Sequence, residues 1–260
     1  SENAGDEPFM LASALTGIPV VVGRDRFRSG ILGVDRFQPD MIILDDGFQH
    51  LRLKRDLDIL LLDGCRPFGN GHLLPRGILR EPPTAIQRAD AVVLTRTDAE
   101  RIPLAGVNRY LGDRPLFRSS HQPVIDSILP SGRRLSPSEP DKPVDPGSLD
   151  RRRIFAFSGI ARNDDFHRSI RCLGGTIVGR QDFPDHYNYR RRDLAIIGRE
   201  AVAAGSDCIV TTAKDYVRIA QRVLFPLDLV VVNVAMTFAD NRFETFLADR
   251  LVNIIRKKGN

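Results

Sequence analysis

Short apolar runs recur along this chain at 18–22, 41–44, 59–62, 91–94, 154–157, 176–178, 208–212 and 229–234, most ending in a glycine, an acid or a hydroxyl. Runs this short, rich in Val, Ile and Leu, read as strands buried on both faces. The intervals between them hold helical patterns, so the expected fold is α/β, a doubly wound parallel sheet. Ligands of such sheets sit at the carboxyl ends of the strands. Candidate site residues are therefore those just after each run.

The run Met41-Ile-Ile-Leu44 opens into Asp45-Asp46-Gly47-Phe48-Gln49-His50. Two adjacent carboxylates beside an apolar core are costly without a partner, and a divalent cation is the usual one. In P-loop enzymes an apolar strand ending in Asp supplies the acid that holds Mg2+ beside nucleotide phosphates. Asp45 and Asp46 are thus candidate metal residues; the bland alternative is helix capping. Gln49 and His50 share the loop and either contact phosphate or hold the loop by hydrogen bonds. Ile18 to Val22 is read as a strand with Arg24, Asp25 and Arg26 on its exit loop, where Arg26 can reach phosphate.

Residues 64–83 are dense in turn formers and carry Phe68, Arg76, Arg80 and Glu81. A long loop without regular structure is functional or disordered, and this one is read as an ordered site loop. Its arginine forks suit oxyanions, so Arg80, with Glu81 beside it, is a candidate phosphate contact, to a nucleotide or to a phosphorylated substrate. The alternative is a surface Arg80–Glu81 ion pair of little worth.

Composition shifts divide the chain into three parts. Residues 1–118 are read as a first α/β lobe, 119–150 as a proline-rich linker or excursion, and 151–260 as a second, smaller α/β lobe. The second lobe contains Phe166, Ile170 and Leu173 on one helical face, and an amphipathic C-terminal helix over about 240–258. The 260 residues, 42% hydrophobic, suffice for one large or two smaller domains. Cys65, Cys172 and Cys208 match no metal or redox spacing, which favours reduced thiols in a cytoplasmic setting. No run approaches the length of a membrane helix. The net charge of +5 suits an anionic partner without choosing one. Arg151–Arg153 and Arg190–Arg192 lack the aromatic interleaving of a nucleic-acid platform, so no nucleic-acid partner is expected.

Five segments in order, Leu44-DDGFQH, Arg66-PFGNGHLLPRGILREP, Phe157-SGIA, Phe183-PDHY and Thr212-AKD, resemble the tetraacyldisaccharide 4′-kinase family. Asp6-Glu7-Pro8 and Val21-VGRDR, ending at Arg26, also match its pattern. The resemblance spans nearly the whole chain. It implies a two-lobed architecture whose larger lobe is a P-loop-NTPase-like domain, with ATP and Mg2+ as cofactors. The implied reaction is phosphorylation of the 4′-hydroxyl of tetraacyldisaccharide 1-phosphate in lipid A biosynthesis. The lipid A disaccharide precursor is then the partner, at the cytoplasmic face of the bacterial inner membrane, with peripheral membrane contact and a monomeric protein. Asp6 resembles the family's general base, and His186 resembles its partner from the second lobe. Glu7 is assigned to the metal or its water shell. Lys214 and Asp215 match a family motif without an assigned role.

One departure stands out. The family carries G-x-x-x-x-G-K-[ST] upstream of the segment where this chain begins, and nothing here matches it. Residue 1 is Ser, and a motif-like segment comes almost at once, so an N-terminal portion is expected to precede it. The competing expectation is a non-catalytic nucleotide- or phospholipid-binding module that has lost Walker A.

Overall fold

The structure is a computed structural model that describes residues 5–97, 104–132, 146–219 and 224–258. In chain order its elements are α1 (Asp6–Ala14), α2 (Arg26–Phe37), β1 (Ile59–Asp63), a 3-10 turn at Pro83–Arg88, β2 (Ala91–Thr95), α3 (Leu104–Leu111) and β3 (Leu116–Leu129). After a second 3-10 turn at Pro146–Leu149 come β4 (Arg153–Ser158), α4 (Asn163–Cys172), β5 (Thr176–Asp182), α5 (Arg191–Ala203), β6 (Cys208–Thr212), α6 (Ala213–Ile219), β7 (Asp228–Phe238) and α7 (Arg242–Lys258).

The chain forms two compact units. The first comprises Ser1–Arg24 and Pro123–Ala235, the second Asp25–Gln122 and Met236–Asn260. In the first unit the strand order is β3-β7-β6-β4-β5, and the pairs β4–β5, β4–β6 and β6–β7 are parallel. In the second it is β1-β2-β3-β7, with β1–β2 and β2–β3 parallel. The expected α/β class with a mostly parallel sheet is what forms. Its cause is visible in the central strands: Ala91 to Leu94 of β2 and Ile154 to Phe157 of β4 are all buried. Such strands need helices on both faces.

The first unit has one core around Phe155, Phe157, Tyr189, Leu194 and Ile197, and another around Ile154, Phe166, Ile170 and Val210. Phe166 and Ile170 of α4 thus bury the face that the sequence spacing marked. The second unit packs Ile86, Val92, Leu94 and Val107 on one side of β2, and Val93, Phe117, Phe243 and Phe246 on the other.

Two expected strands are not strands. Residues 18–22 and 41–44 carry no regular ladder, and Ile18, Met41, Ile42 and Ile43 are 59%, 56%, 50% and 84% exposed. A strand exists only where a neighbour supplies its backbone partners, and among the described residues none pairs with these segments. Arg26 lies on no loop either: it opens α2, because the Asp25 side chain accepts from the backbone of Phe27 and Arg28 at 3.0 and 3.2 Å. The linker expected over 119–150 is strand up to Leu129, since 116–129 alternates between buried and open positions in a long β3. Residues 133–145 of that stretch lie outside the described residues. The units are interleaved in sequence, so neither coincides with 1–118 or 151–260.

Candidate active site

In the second unit the loop after residue 44 is a set of tight turns. His50 donates its backbone N–H to the Gly47 carbonyl at 3.0 Å. Asp46 takes a left-handed conformation, φ 50°, which Asp tolerates better than most residues. Arg55, which the motif reading passed over, locks the loop from below. Its guanidinium donates to the carbonyls of His50 and Leu53 at 2.6 and 2.9 Å and grips both Asp58 oxygens.

The site loop 64–83 delivers Arg80 and Glu81 to this turn. Arg80 Nη1 donates to Asp46 Oδ2 at 2.6 Å and reaches Gln49 Oε1 at 3.5 Å. The Asp46 carboxylate raises the Arg80 pKa further. Glu81 pairs with Arg88, Nη1 to Oε2 at 2.6 Å and Nη2 to Oε1 at 3.0 Å. That bond holds the Glu81 carboxyl below the usual carboxylate range, with a smaller contribution from a Gln49 hydrogen bond. So the Arg80–Glu81 pair does not form: each residue takes a different partner, and Gln49 lies between them. Arg88 also stacks on Phe48, 4.4 Å from the ring centroid, and donates to its carbonyl. Loop 64–83 is itself ordered: Asn70 bridges it through the Arg76 carbonyl at 3.0 Å.

Asp46, Gln49, Arg80 and Glu81 thus meet within one unit, with Asp45 next to Asp46 in the chain. Arg26 belongs to the same unit, half-buried at the start of α2. Among the described residues no group of three or more His, Cys, Asp or Glu forms a ready metal cage. Mg2+ does not need one, because it keeps its waters and takes one or two carboxylates with phosphate oxygens. The exposed Asp45–Asp46 pair fits that demand. Glu7 stands in the first unit, where Lys214 Nζ donates to its Oε1 at 2.8 Å. Metal assignment for Glu7 therefore has no support from within its own unit.

The first unit gathers three of the sequence motifs on Gly159. Its N–H donates to Asp215 Oδ2 at 3.0 Å, and its carbonyl accepts from the His186 N–H and from Arg218 Nη1, each at 3.1 Å. A Cβ at Gly159 would meet Tyr189 Oη at 3.0 Å, Tyr187 Cβ at 3.1 Å and Asp215 Oδ1 at 3.2 Å. Any side chain there would need those neighbours to give by a few tenths of an ångström. Asp215 is fully buried, and it also accepts from Thr212 Oγ1 at 2.7 Å and Tyr189 Oη at 3.0 Å. Burial raises its carboxyl above the usual range despite these donors. His186 sits on a turn at φ 59°, beside aromatics in contact: Phe183 and Tyr187 stack at 4.6 Å, and Tyr187 and Tyr189 meet edge to face at 5.2 Å. Asp6 opens α1, and its side chain lies outside the described residues. Sequence reasoning missed Arg218. Its signal was its place one helical turn after Asp215, on α6.

Comparison with known proteins bears on this arrangement. The family described as Tetraacyldisaccharide-1-P 4'-kinase (LpxK) matches residues 1–252. Proteins named Tetraacyldisaccharide 4'-kinase are 39% identical in Desulfatibacillum aliphaticivorans over 95% of this chain, and 44% identical in Syntrophus aciditrophicus over 83%. One in Pelobacter propionicus is 38% identical over 99% of the chain. The chain spans 66%, 58% and 67% of those relatives' own lengths. A crystal structure of the "apo" form of LpxK from Aquifex aeolicus, in complex with ATP, superposes with a TM-score of 0.68 at 30% identity. That match covers 95% of this chain and 68% of the other. With a match running from residue 1 to residue 252, this chain belongs to the tetraacyldisaccharide-1-P 4'-kinase family.

Proposed function

We propose that this chain serves ATP-dependent phosphorylation of the 4′-hydroxyl of tetraacyldisaccharide 1-phosphate. The observation that carries this reading is the meeting of Asp46, Gln49, Arg80 and Glu81 around one turn, in a chain matched to the kinase family along 1–252. The ATP named with the Aquifex aeolicus structure supports ATP as the donor.

Phosphoryl transfer depends on positioning and charge stabilisation. Asp45 and Asp46 would hold Mg2+ and its waters. When bound, the ion neutralises charge developing on the transferred group. Arg80 and Arg26 offer planar forks to phosphate oxygens, and Gln49, His50 and Glu81 order the loop around them. Asp6 accepts the proton of the sugar hydroxyl, and His186 orients that carboxylate. The substrate is a lipid, so the protein works peripherally at the cytoplasmic face of the inner membrane, as a monomer without nucleic acid. Among the described residues no helix is long and apolar enough to cross a membrane.

The test is transfer of labelled γ-phosphate from ATP to tetraacyldisaccharide 1-phosphate, with Mg2+ and a detergent–lipid surface, by this chain carried in the length of its relatives. Transfer that falls at least about 10²-fold in both Asp6→Ala and His186→Ala is the expected result. Absence of transfer, with retained nucleotide or phospholipid binding, would put a non-catalytic binding module in its place.

A further inference from the structure

Asp46 and Arg80 meet in water and cannot hold one another. Their side chains are 61% and 59% exposed, and pairs of that kind are screened and mobile. What fixes them must act on their neighbours in the chain. Phe48 lies two residues after Asp46 and directly before Gln49, and Glu81 directly follows Arg80. One side chain, Arg88, grips both of these neighbours.

Arg88 ends the 3-10 turn at Pro83–Arg88. Ile86 and Ala89, on either side of it, are 2% and 4% exposed. Arg114 Nε donates to the Ala89 carbonyl at 3.0 Å. The backbone that carries Arg88 is therefore tied into the core of the second unit. Its guanidinium works with both edge and face. Nη1 and Nη2 donate to the two Glu81 oxygens at 2.6 and 3.0 Å. Nη2 also donates to the Phe48 carbonyl at 3.3 Å, and the plane lies over the Phe48 ring at 4.4 Å. Phe48 packs on the same core as Ile86. Gln49, next in the chain, closes the arrangement: it hydrogen-bonds to Glu81, and its Oε1 lies 3.5 Å from Arg80 Nη1. A lysine would bring a point charge to one of these partners, whereas a planar fork meets carboxylate, carbonyl and ring together.

We propose that Arg88 is a positioning residue that joins turn 45–50 to the end of loop 64–83, and so sets where Gln49 and the Arg80 fork stand relative to the Asp45–Asp46 carboxylates. Arg88 acts through Phe48 and Glu81. Without it the two loops are linked only by the exposed Arg80–Asp46 contact and by Gln49. This deepens the kinase reading given above and rests on it.

Two measurements test it. On this chain labelled with 13C and 15N, the Glu81 carboxyl is followed through a pH titration and the Arg80 Nε–H is followed at neutral pH. In wild type Glu81 is expected to titrate below the ordinary carboxylate range. In Arg88→Met it should return towards that range, and the Arg80 signal should shift. A Glu81 titration and an Arg80 signal that are both unchanged in Arg88→Met overturn the proposal. In the chain of full family length, Arg88→Met is expected to lower kcat on the order of 10²-fold, the cost of misplacing a positioned group by about 1 Å. Combined with Arg80→Ala, it should leave the protein no slower than Arg80→Ala alone, because one acts through the other. Losses that multiply overturn the proposal, since a residue that merely supports the fold would add its own. Arg88→Lys, whose thermal melting shows that the unit folds, should stay at least about tenfold below wild type, because a point charge does not replace the fork. Full kcat in Arg88→Met or Arg88→Lys, with Arg80→Ala impaired, overturns this proposal alone. A wild-type protein without transfer overturns the kinase reading, and the two spectra then decide whether Arg88 joins the loops.

Discussion

Arg80 and Asp46 lie 34 residues apart in the chain and meet at 2.6 Å, each side chain more than half exposed, at 59% and 61%. Exposed pairs contribute little to stability, because water screens them and two long side chains must be held still. Such a contact is better understood as a poised one. On the proposed function, Arg80 is held next to the carboxylate that would face Mg2+, where its fork would meet phosphate. Arg80→Ala should therefore change the unfolding free energy by less than about 0.5 kcal/mol. It should lower phosphoryl transfer on the order of 10²-fold, the range for losing one preorganised donor. Arg80→Lys should restore little, since a point charge does not replace a planar fork. Urea melts alongside ATP-dependence of transfer decide it. A large stability loss with normal transfer would make the pair structural.

Glu81 and Arg88 form the more enclosed pair, with side chains 23% and 34% exposed. The Arg88 hydrogen bond leads in holding the folded Glu81 pKa below its ordinary value. The stabilisation is then fully present above the unfolded pKa, near 4.3, and is lost as pH falls through the lower folded value. The pair's worth at pH 7 is about 0.5–1 kcal/mol after allowance for its exposure. Wild type and Glu81→Gln should differ by that amount at neutral pH and converge in urea melts as the pH falls below the ordinary carboxylate range. A difference independent of pH would show that the carboxylate charge plays no part.

Most of the sheet was legible because burial writes itself into residue type. Ala91–Leu94 and Ile154–Phe157 are apolar without interruption, and both are central strands. The same logic failed at Met41–Leu44, where an equally apolar run has no neighbouring strand and stands exposed. Composition records a demand for partners and does not supply them. β3 was missed for the opposite reason. Ser119, Ser120, His121, Gln122 and Pro123 look like linker, but alternate positions face inward: Phe117 and Ser119 are buried. Candidate residues were legible where a motif named them, as with Asp46, Arg80 and Glu81. Arg55, Arg88 and Arg218 were not, because their work is to hold another residue, and that depends on where the chain returns. Arginines of that kind look like solvated surface charge until a carbonyl or a carboxylate is found beside them.

Tyr189 is 1% exposed and donates to Asp215 Oδ1 at 3.0 Å. Burial, reinforced by the Asp215 charge, pushes its phenol far above the ordinary range, so it remains a donor throughout the stable pH range. Tyr189→Phe keeps the ring packing against Phe157 and Phe183 and removes one bond to a buried carboxylate. Loss of a hydrogen bond to a charged group costs about 1.5–3 kcal/mol. A urea-melt change below about 0.5 kcal/mol would show that Asp215 is satisfied without it.

Gly159 gives the most compact test of the network that joins the three motifs of the first unit. An added methyl there would press on Tyr189 Oη at 3.0 Å, Tyr187 Cβ at 3.1 Å and Asp215 Oδ1 at 3.2 Å. The obstacle is steric, because this φ lies outside the left-handed region that favours glycine. Overpacking of this kind costs about 1–3 kcal/mol. The neighbours cannot yield independently: Tyr189 and Asp215 are bonded to each other, and Asp215 takes the Gly159 N–H. Gly159→Ala should therefore destabilise the fold and also shift the His186 ring resonances, since the His186 N–H hangs on the Gly159 carbonyl. Removing the Tyr189 hydroxyl opens space for the methyl. Gly159→Ala combined with Tyr189→Phe should consequently be less destabilised than the sum of the single changes. Strict additivity in urea melts would mean that the methyl is accommodated by moving Tyr187 or the backbone, and that the hydroxyl is not what requires glycine at this position.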